Sequence, residues 1–219
     1  MKLSKRLNAI AEMVDDRYHV IDVGCDHAFL DIYLTINKNI SCTAIDNKEK
    51  VLKYSEKNIK ECGLSDKIEL LFNDGLENIR ISDNDLVILA GLGTNTILKI
   101  IKNKNIKNMI VQSNDDIYNL RLTLSKEGYQ IIEERIIYEK KYYIIIKLTK
   151  GKSNYNDIEL KYGPVLLKNK SKVFVNYLND RKNYLEDLFR NIPNRFFLKK
   201  LSVLLEIKKL KAILKWYRF

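Results

Sequence analysis

Short apolar runs alternate with helix-period segments through the first 150 residues, and this alternation limits the folds open to the 219-residue chain. Consecutive apolar positions suit strands buried on both faces, and the intervening helices supply the covering layers. Residues 19–24, 40–45, 68–72, 85–90 and 108–112 read as five such strands. Helical periods at 28–37, 47–62, 94–102 and 116–127 accompany them. An opening segment, 3–14, sets Leu3, Leu7, Ile10 and Met13/Val14 on one helical face. The expected class is α/β with a mostly parallel sheet.

After Gly128 the pattern changes. Residues 129–138 and 142–149 are β-rich and separated only by Glu139, Lys140 and Lys141, which permits an antiparallel hairpin and forbids a helical crossover. Five crossover strands and this hairpin predict a seven-stranded sheet whose last strand is antiparallel. A composition shift at 151–154 marks a domain boundary, so 1–150 is read as one domain and 151–219 as a second. Beyond Gly163 and Pro164 the chain is helical to its end. One stripe runs through Phe174, Tyr177/Leu178, Arg181, Tyr184/Leu185 and Leu188/Phe189. Another follows Phe197, Leu201, Leu204, Ile207, Leu210, Leu214 and Tyr217, with Pro193 between them. Two helices joined by a short turn predict a helical hairpin.

The charge follows the same division. Residues 1–150 carry 23 basic and 22 acidic groups; residues 151–219 carry 16 and 6, a net of +10. Codon bias toward Lys, Asn and Ile would spread along the chain, so the localised charge predicts a polyanion partner for the second domain. The three cysteines lack metal-site or disulfide spacing, and only two histidines are present, so no metal is expected. No apolar run reaches the length of a membrane span and the first residues lack a signal-peptide core, which predicts a soluble, cytoplasmic protein.

The chemistry is expected where strands end. Asp22-Val23-Gly24 runs from a strand into a turn, and Gly24 allows a ligand to approach the backbone. Asp26 stands where a phosphate-binding turn has its second glycine. A carboxylate there repels a pyrophosphate and suits a cationic ligand such as S-adenosyl-L-methionine (SAM). Asp46, 22 residues after Gly24, ends the second strand and can accept from ribose hydroxyls; Asn47 beside it is counted with the same site. Asn73, Asp74 and Gly75 end the third strand, where Asp74 can accept from an adenine amine. Gly91-Leu92-Gly93-Thr94 follows the fourth strand, and Gln112-Ser113-Asn114 follows the fifth.

Together Leu3-Ser4-x-Arg6-Leu7, Asp22-Val-Gly-x-Asp26-His27-Ala28-x-Leu30, Asn73-Asp74-Gly75-Leu76, Gly91-Leu92-Gly93 and Gln112-x-Asn114 resemble the bacterial tRNA (adenine-22-N1)-methyltransferase family. The resemblance implies a SAM-dependent Rossmann-like domain, a small coiled-coil-like helical domain, and methyl transfer to adenine N1 in tRNA. It departs from the family at Thr94 for Gly, Asp46 for Glu, and Asp31 for Pro. N1 has a free lone pair, so the expected help is a carboxylate near the cationic product. Asp26 with His27 is the candidate for that role; holding the SAM amino group is the alternative for Asp26, and packing against the sheet is the alternative for His27. Arg6 can meet the SAM carboxylate or a phosphate, while Asp22 steadies the glycine turn. The remaining alternatives are a methyltransferase for another RNA, protein or metabolite, and a catalytically silent SAM-fold RNA-binding module. No obligate protein partner is expected.

Overall fold

The computed structural model describes residues 2–217. Strands β1 (His19–Val23), β2 (Cys42–Asp46), β3 (Ile68–Phe72), β4 (Asp85–Leu92) and β5 (Asn108–Ser113) are parallel. Strands β6 (Tyr129–Glu139) and β7 (Lys141–Lys150) form the hairpin, and the sheet order is β3-β2-β1-β4-β5-β7-β6. The seven-stranded sheet expected from the pattern is therefore present. β7 is the strand inserted beside β5, with Asn108 opposite Thr149 and Val111 opposite Ile146, so it alone runs against the others. All six residues of β5 are buried, as a central parallel strand requires.

Helices α1 (Lys5–Glu12), α2 (Phe29–Lys38), α3 (Glu49–Glu61), α4 (Thr94–Ile101) and α5 (Ile117–Lys126) accompany this sheet. Ser4 caps α1 by accepting from the Leu7 amide at 3.2 Å, and Asp116 caps α5 by accepting from the Asn119 amide at 3.1 Å. Two strand ends differ from the sequence pattern. β2 begins at Cys42 because the Thr35 hydroxyl donates to the Ile40 carbonyl at 2.8 Å and holds Ile40 in the preceding turn. β4 continues to Leu92 through an irregularity in its register with β5 between Ala90 and Leu92.

The chain divides into two compact units, Met1–Val165 and Leu166–Phe219. The division falls beyond the composition shift at 151–154, because the following segment stays with the sheet. Tyr155 accepts from the Ile131 amide at 2.8 Å, and Ser153 donates to the Tyr129 carbonyl at 2.8 Å. Helix α6 (Asp157–Tyr162) then starts on a capping box of Asn156 and Glu159; its single turn and a half is too short to register as a period. Helix α7 (Pro164–Asn169) follows. Arg121 and Glu134, both fully buried, pair at 2.8 Å. The same guanidinium donates to the Leu160 carbonyl at 3.1 Å, and Glu134 accepts from the Val165 amide at 2.9 Å. A Cβ at Gly163 would stand 2.6 Å from the Glu134 carboxylate, so this crossing requires glycine.

In the second unit, α8 (Lys172–Asn191) and α9 (Phe197–Trp216) form the expected hairpin. The Tyr217 hydroxyl donates to the Leu167 carbonyl at 2.7 Å, which returns the end of α9 to α7, just ahead of α8. Phe174, Leu178 and Leu185 of α8 are buried, together with Val203, Ile207 and Leu210 of α9. The α9 stripe read from sequence is corrected accordingly: Phe197 and Leu201 are exposed and Val203 takes the buried place. α9 is apolar on more than one face, and a single partner helix covers only one. No helix among the described residues is long and apolar enough to cross a membrane.

Candidate active site

Two hollows meet at Gly24, where the carboxyl ends of β1 to β4 open. The larger, a cavity of ≈ 380 Å³, is lined by Gly24, Asp46, Asn47, Asn73, Asp74 and Gly75, with further residues around them. Its volume suits a small-molecule site. The smaller, ≈ 40 Å³, is lined by Arg6, Asp22, Gly24, Asp26 and His27 among its walls. Gly91 borders neither directly and lies behind Arg6. The fold thus brings the sequence candidates other than Gly91 to one crevice, from segments spread between Arg6 and Gly75.

At the larger hollow, one Asp46 oxygen accepts from the Lys48 amide at 3.0 Å. Asn47 donates to Asp74 at 3.3 Å, joining the ends of β2 and β3. The Asn73 amide group is spent on the turn, donating to the carbonyls of Gly75 and Glu77 at 3.0 Å each. Four lysines, Lys48, Lys99, Lys102 and Lys104, also border this cavity. Sequence reasoning missed them: Lys48 follows Asn47 directly but is not counted with it, while Lys99 of α4 and Lys102 and Lys104 just after it reach the β2–β3 edge only through the fold.

At the smaller hollow, the turn after β1 is held in an uncommon shape. Gly24 and Cys25 donate to the Ile45 carbonyl at 2.8 and 3.0 Å. Asp26 and Ala28 both have left-handed backbones, with φ of +53° and +57°, a conformation that Asp tolerates and Ala resists. Helix α3 secures it: Ser55 donates to the Asp26 carbonyl at 2.6 Å, and Asn58 to the His27 carbonyl at 3.0 Å. The Asp26 side chain is 77% exposed, and its carboxylate lies 3.6 Å from His27 Nε2. The His27 ring stands with those of Phe29 and Tyr54, at centroid distances of 5.5 and 5.7 Å. His27 is therefore at the mouth of the crevice and not packed under the sheet.

Arg6 arrives from α1, whose first amides, those of Lys5 and Arg6, donate to the Glu139 carboxylate at 3.0 and 3.4 Å. Its guanidinium donates to Gln112 Oε1 at 3.1 Å, and the Gly91 amide donates to the same oxygen at 3.1 Å. A Cβ on Gly91 would lie 3.4 Å from Arg6 Nη1, so glycine lets the guanidinium lie over the chain. Asn114 closes the group by donating to the Gly91 carbonyl at 2.7 Å. Thr94 turns inward, where its hydroxyl meets Ser113 Oγ and the Asp116 carbonyl at 2.9 Å each. That side chain ties α4 to β5 and is buried.

Beneath the turn, burial raises the Asp22 carboxyl to about 7, against the opposing pull of Arg6 and with a further push from Asp46. Asp31, wholly buried beside it, is raised well above the carboxylate range by the same desolvation and by Asp22. Asp31 is absent from the sequence-read site because an acid in the first turn of a helix is ordinary. Burial also pushes the Cys25 and Cys42 thiols up, so neither is a thiolate nucleophile at neutral pH. Among the described residues no group of three or more His, Cys, Asp or Glu is placed to hold a metal ion.

A doubly wound sheet ending in an antiparallel hairpin, with a two-lobed crevice bearing strand-end carboxylates at its switch point, defines a nucleoside-cofactor enzyme of the methyltransferase class. Residues 3–146 match the family model described as a methyltransferase domain. The Bacillus subtilis tRNA (adenine(22)-N(1))-methyltransferase is 28% identical, over 95% of this chain and 96% of its own length. The structure of M. capricolum TrmK in complex with S-adenosyl-homocysteine is 32% identical, with a TM-score of 0.87 and full coverage of both chains. A protein of the NADB-Rossmann superfamily from Streptococcus agalactiae superposes with a TM-score of 0.90 at 29% identity, over 98% of each chain. The chain belongs to the tRNA (adenine(22)-N(1))-methyltransferase family.

SAM fits the donors present. The Asp46 carboxylate, able to accept from ribose hydroxyls, and the turn at Asp74 and Gly75 line the larger hollow. Asp22, a hydrogen-bond acceptor, and Arg6, a cation, line the smaller one, which suits the amino and carboxylate groups of an amino-acid moiety.

Proposed function

We propose that this chain transfers the methyl group of SAM to N1 of adenine 22 in tRNA. The observation that carries the reading is the pair of hollows joined at Gly24, with Asp46 and Asp74 lining one and Asp22 and Asp26 the other, in a chain similar over its length to enzymes of that name. SAM supplies an electrophilic methyl group on a sulfonium. Asp46, Asn47 and Asp74 are assigned to its adenosine, and Arg6 and Asp22 to its amino-acid end, with Gly24 between them and Gly91 behind Arg6.

N1 attacks with its own lone pair, so no residue has to generate the nucleophile. Methylation leaves a positive charge on the adenine ring. Asp26 is exposed at the mouth, and its carboxylate is assigned to stabilise that charge or to accept a proton from the N6 amine. His27, with Phe29 and Tyr54, forms the aromatic edge past which the base must enter. N1 is on the Watson–Crick edge, so the base must be unpaired or extruded first. The RNA is then held by its backbone, which is the part assigned to the basic residues of 166–219. That segment has 14 basic and 4 acidic residues, so moving the division from 150 to 165 leaves its net charge at +10.

The test is transfer of tritium from methyl-labelled SAM to unmodified tRNA, followed by nucleoside analysis. Label is expected in 1-methyladenosine and is lost when adenine 22 is replaced by guanine. Label in protein, in another nucleoside, or in no product while SAM binds would overturn the assignment.

A further inference from the structure

The helical hairpin leaves apolar side chains uncovered at its turn. Ile192 is buried, but Phe196, Phe197 and Leu198 of the following segment are open to solvent, the last two at 66% and 79% exposure. Leu201 and Leu205 continue the same exposed strip along α9, at the three- and four-residue spacing of one helix face. Cations surround this strip. The Arg195 guanidinium stands over the Phe196 ring at 5.0 Å. Lys200 stands over Phe189 at 5.0 Å and donates to Asn194 at 2.8 Å, which braces the turn. Lys199 is exposed beside them. No acidic residue occurs between Asp187 and Glu206.

Exposed rings beside cations, with no anion among them, match the chemistry of unpaired nucleotides: base faces stack on the rings while phosphates meet the cations. A second copy of the chain fits poorly, since it would bring an equally cationic rim to the same surface. We propose that the turn joining α8 and α9 is a contact for unpaired bases of the tRNA, with Phe196 and Phe197 as stacking surfaces and Arg195 and Lys199 as phosphate partners. The proposal rests on the tRNA reading above and adds to it a place where the RNA is held through its bases.

The test uses the full chain carrying Phe196→Ser with Phe197→Ser, and separately Leu198→Ser. All three side chains are exposed, so thermal unfolding should match the unsubstituted protein. Binding to an unmodified tRNA transcript is measured by fluorescence anisotropy across a salt series, and SAM affinity by calorimetry. Loss of one or two stacked bases should raise the tRNA Kd by about tenfold or more. The slope against log salt and the SAM Kd should stay unchanged, because no phosphate contact is removed. Affinity for a blunt RNA duplex should be the same for all three proteins. An unchanged tRNA Kd would overturn the proposal, as would a shift from dimer to monomer on substitution or a loss confined to anionic vesicles. If the unsubstituted protein methylates tRNA while the variants bind it equally well, only the turn contact fails. Absence of methyl transfer by the unsubstituted protein fails the functional reading itself.

Discussion

Asp22 and Asp31 put two carboxyls in one dry place beneath the cofactor crevice, faced by Arg6 from α1, Asp46 from β2, and the Cys25 and Cys42 thiols. Both are raised above the ordinary carboxylate value, so the folded protein retains protons that the unfolded chain releases. Stability linked to the pair is therefore complete below about pH 4 and declines as pH rises through about 7. Asp31→Asn removes one of these ionisations. Without SAM, the variant should match the native protein below about pH 4 and melt higher at pH 8; parallel pH profiles would refute the coupling. Asp26 calls for a different measurement. Asp26→Asn keeps the left-handed backbone, since Asn tolerates it, and removes only the charge. Methyl transfer should fall about 10²-fold in kcat with SAM affinity little changed. A large rise in SAM Kd with kcat intact would assign Asp26 to the SAM amino group instead. Asp26 is legible in sequence because a carboxylate at the second glycine position is unusual. Asp31 is not, since only the packing of α2 on β1 makes it buried.

At the scale of elements, the buried Arg121–Glu134 pair joins α5, β6 and the segment that leads out of the sheet unit. Arg121→Met leaves the Glu134 carboxyl buried without its guanidinium. The expected cost in denaturant unfolding is about 3–5 kcal/mol. Combining it with Glu134→Leu should recover part of that loss, because no buried charge then remains. Equal costs for the single and double variants would show that the charge is not what matters. Strand positions such as Ile68–Phe72 were readable from apolar runs, as was the spacing of Gly24 and Asp46. The contact of Arg6 with Gln112 was not, because it joins residues 106 apart in sequence. Nor was the buried face of α9, since its sequence offers more than one apolar stripe and only the partner helix selects Val203, Ile207 and Leu210.

For the whole molecule, charge is unequally shared. A near-neutral unit carries the crevice, and 166–219 carries +10. Replacing Lys199, Lys208 and Lys215 with Gln in the full chain should weaken tRNA binding and lower the slope of log affinity against log salt by about 2, as loss of three phosphate contacts implies. SAM affinity should not change. An unaltered slope would place the phosphate contacts elsewhere, with the lysines bordering the cofactor cavity as the next candidates. The sequence by itself determined the strand count, the order of the turns that line the crevice and the location of the excess charge, because these depend on local period, local chemistry and composition. Only the tertiary structure decided that β7 enters between β5 and β6, that Asp31 meets Asp22, and that Phe197 stays in solvent while Val203 is covered. Those outcomes depend on which surfaces meet across long stretches of chain, and burial is a property of the meeting and not of either residue alone.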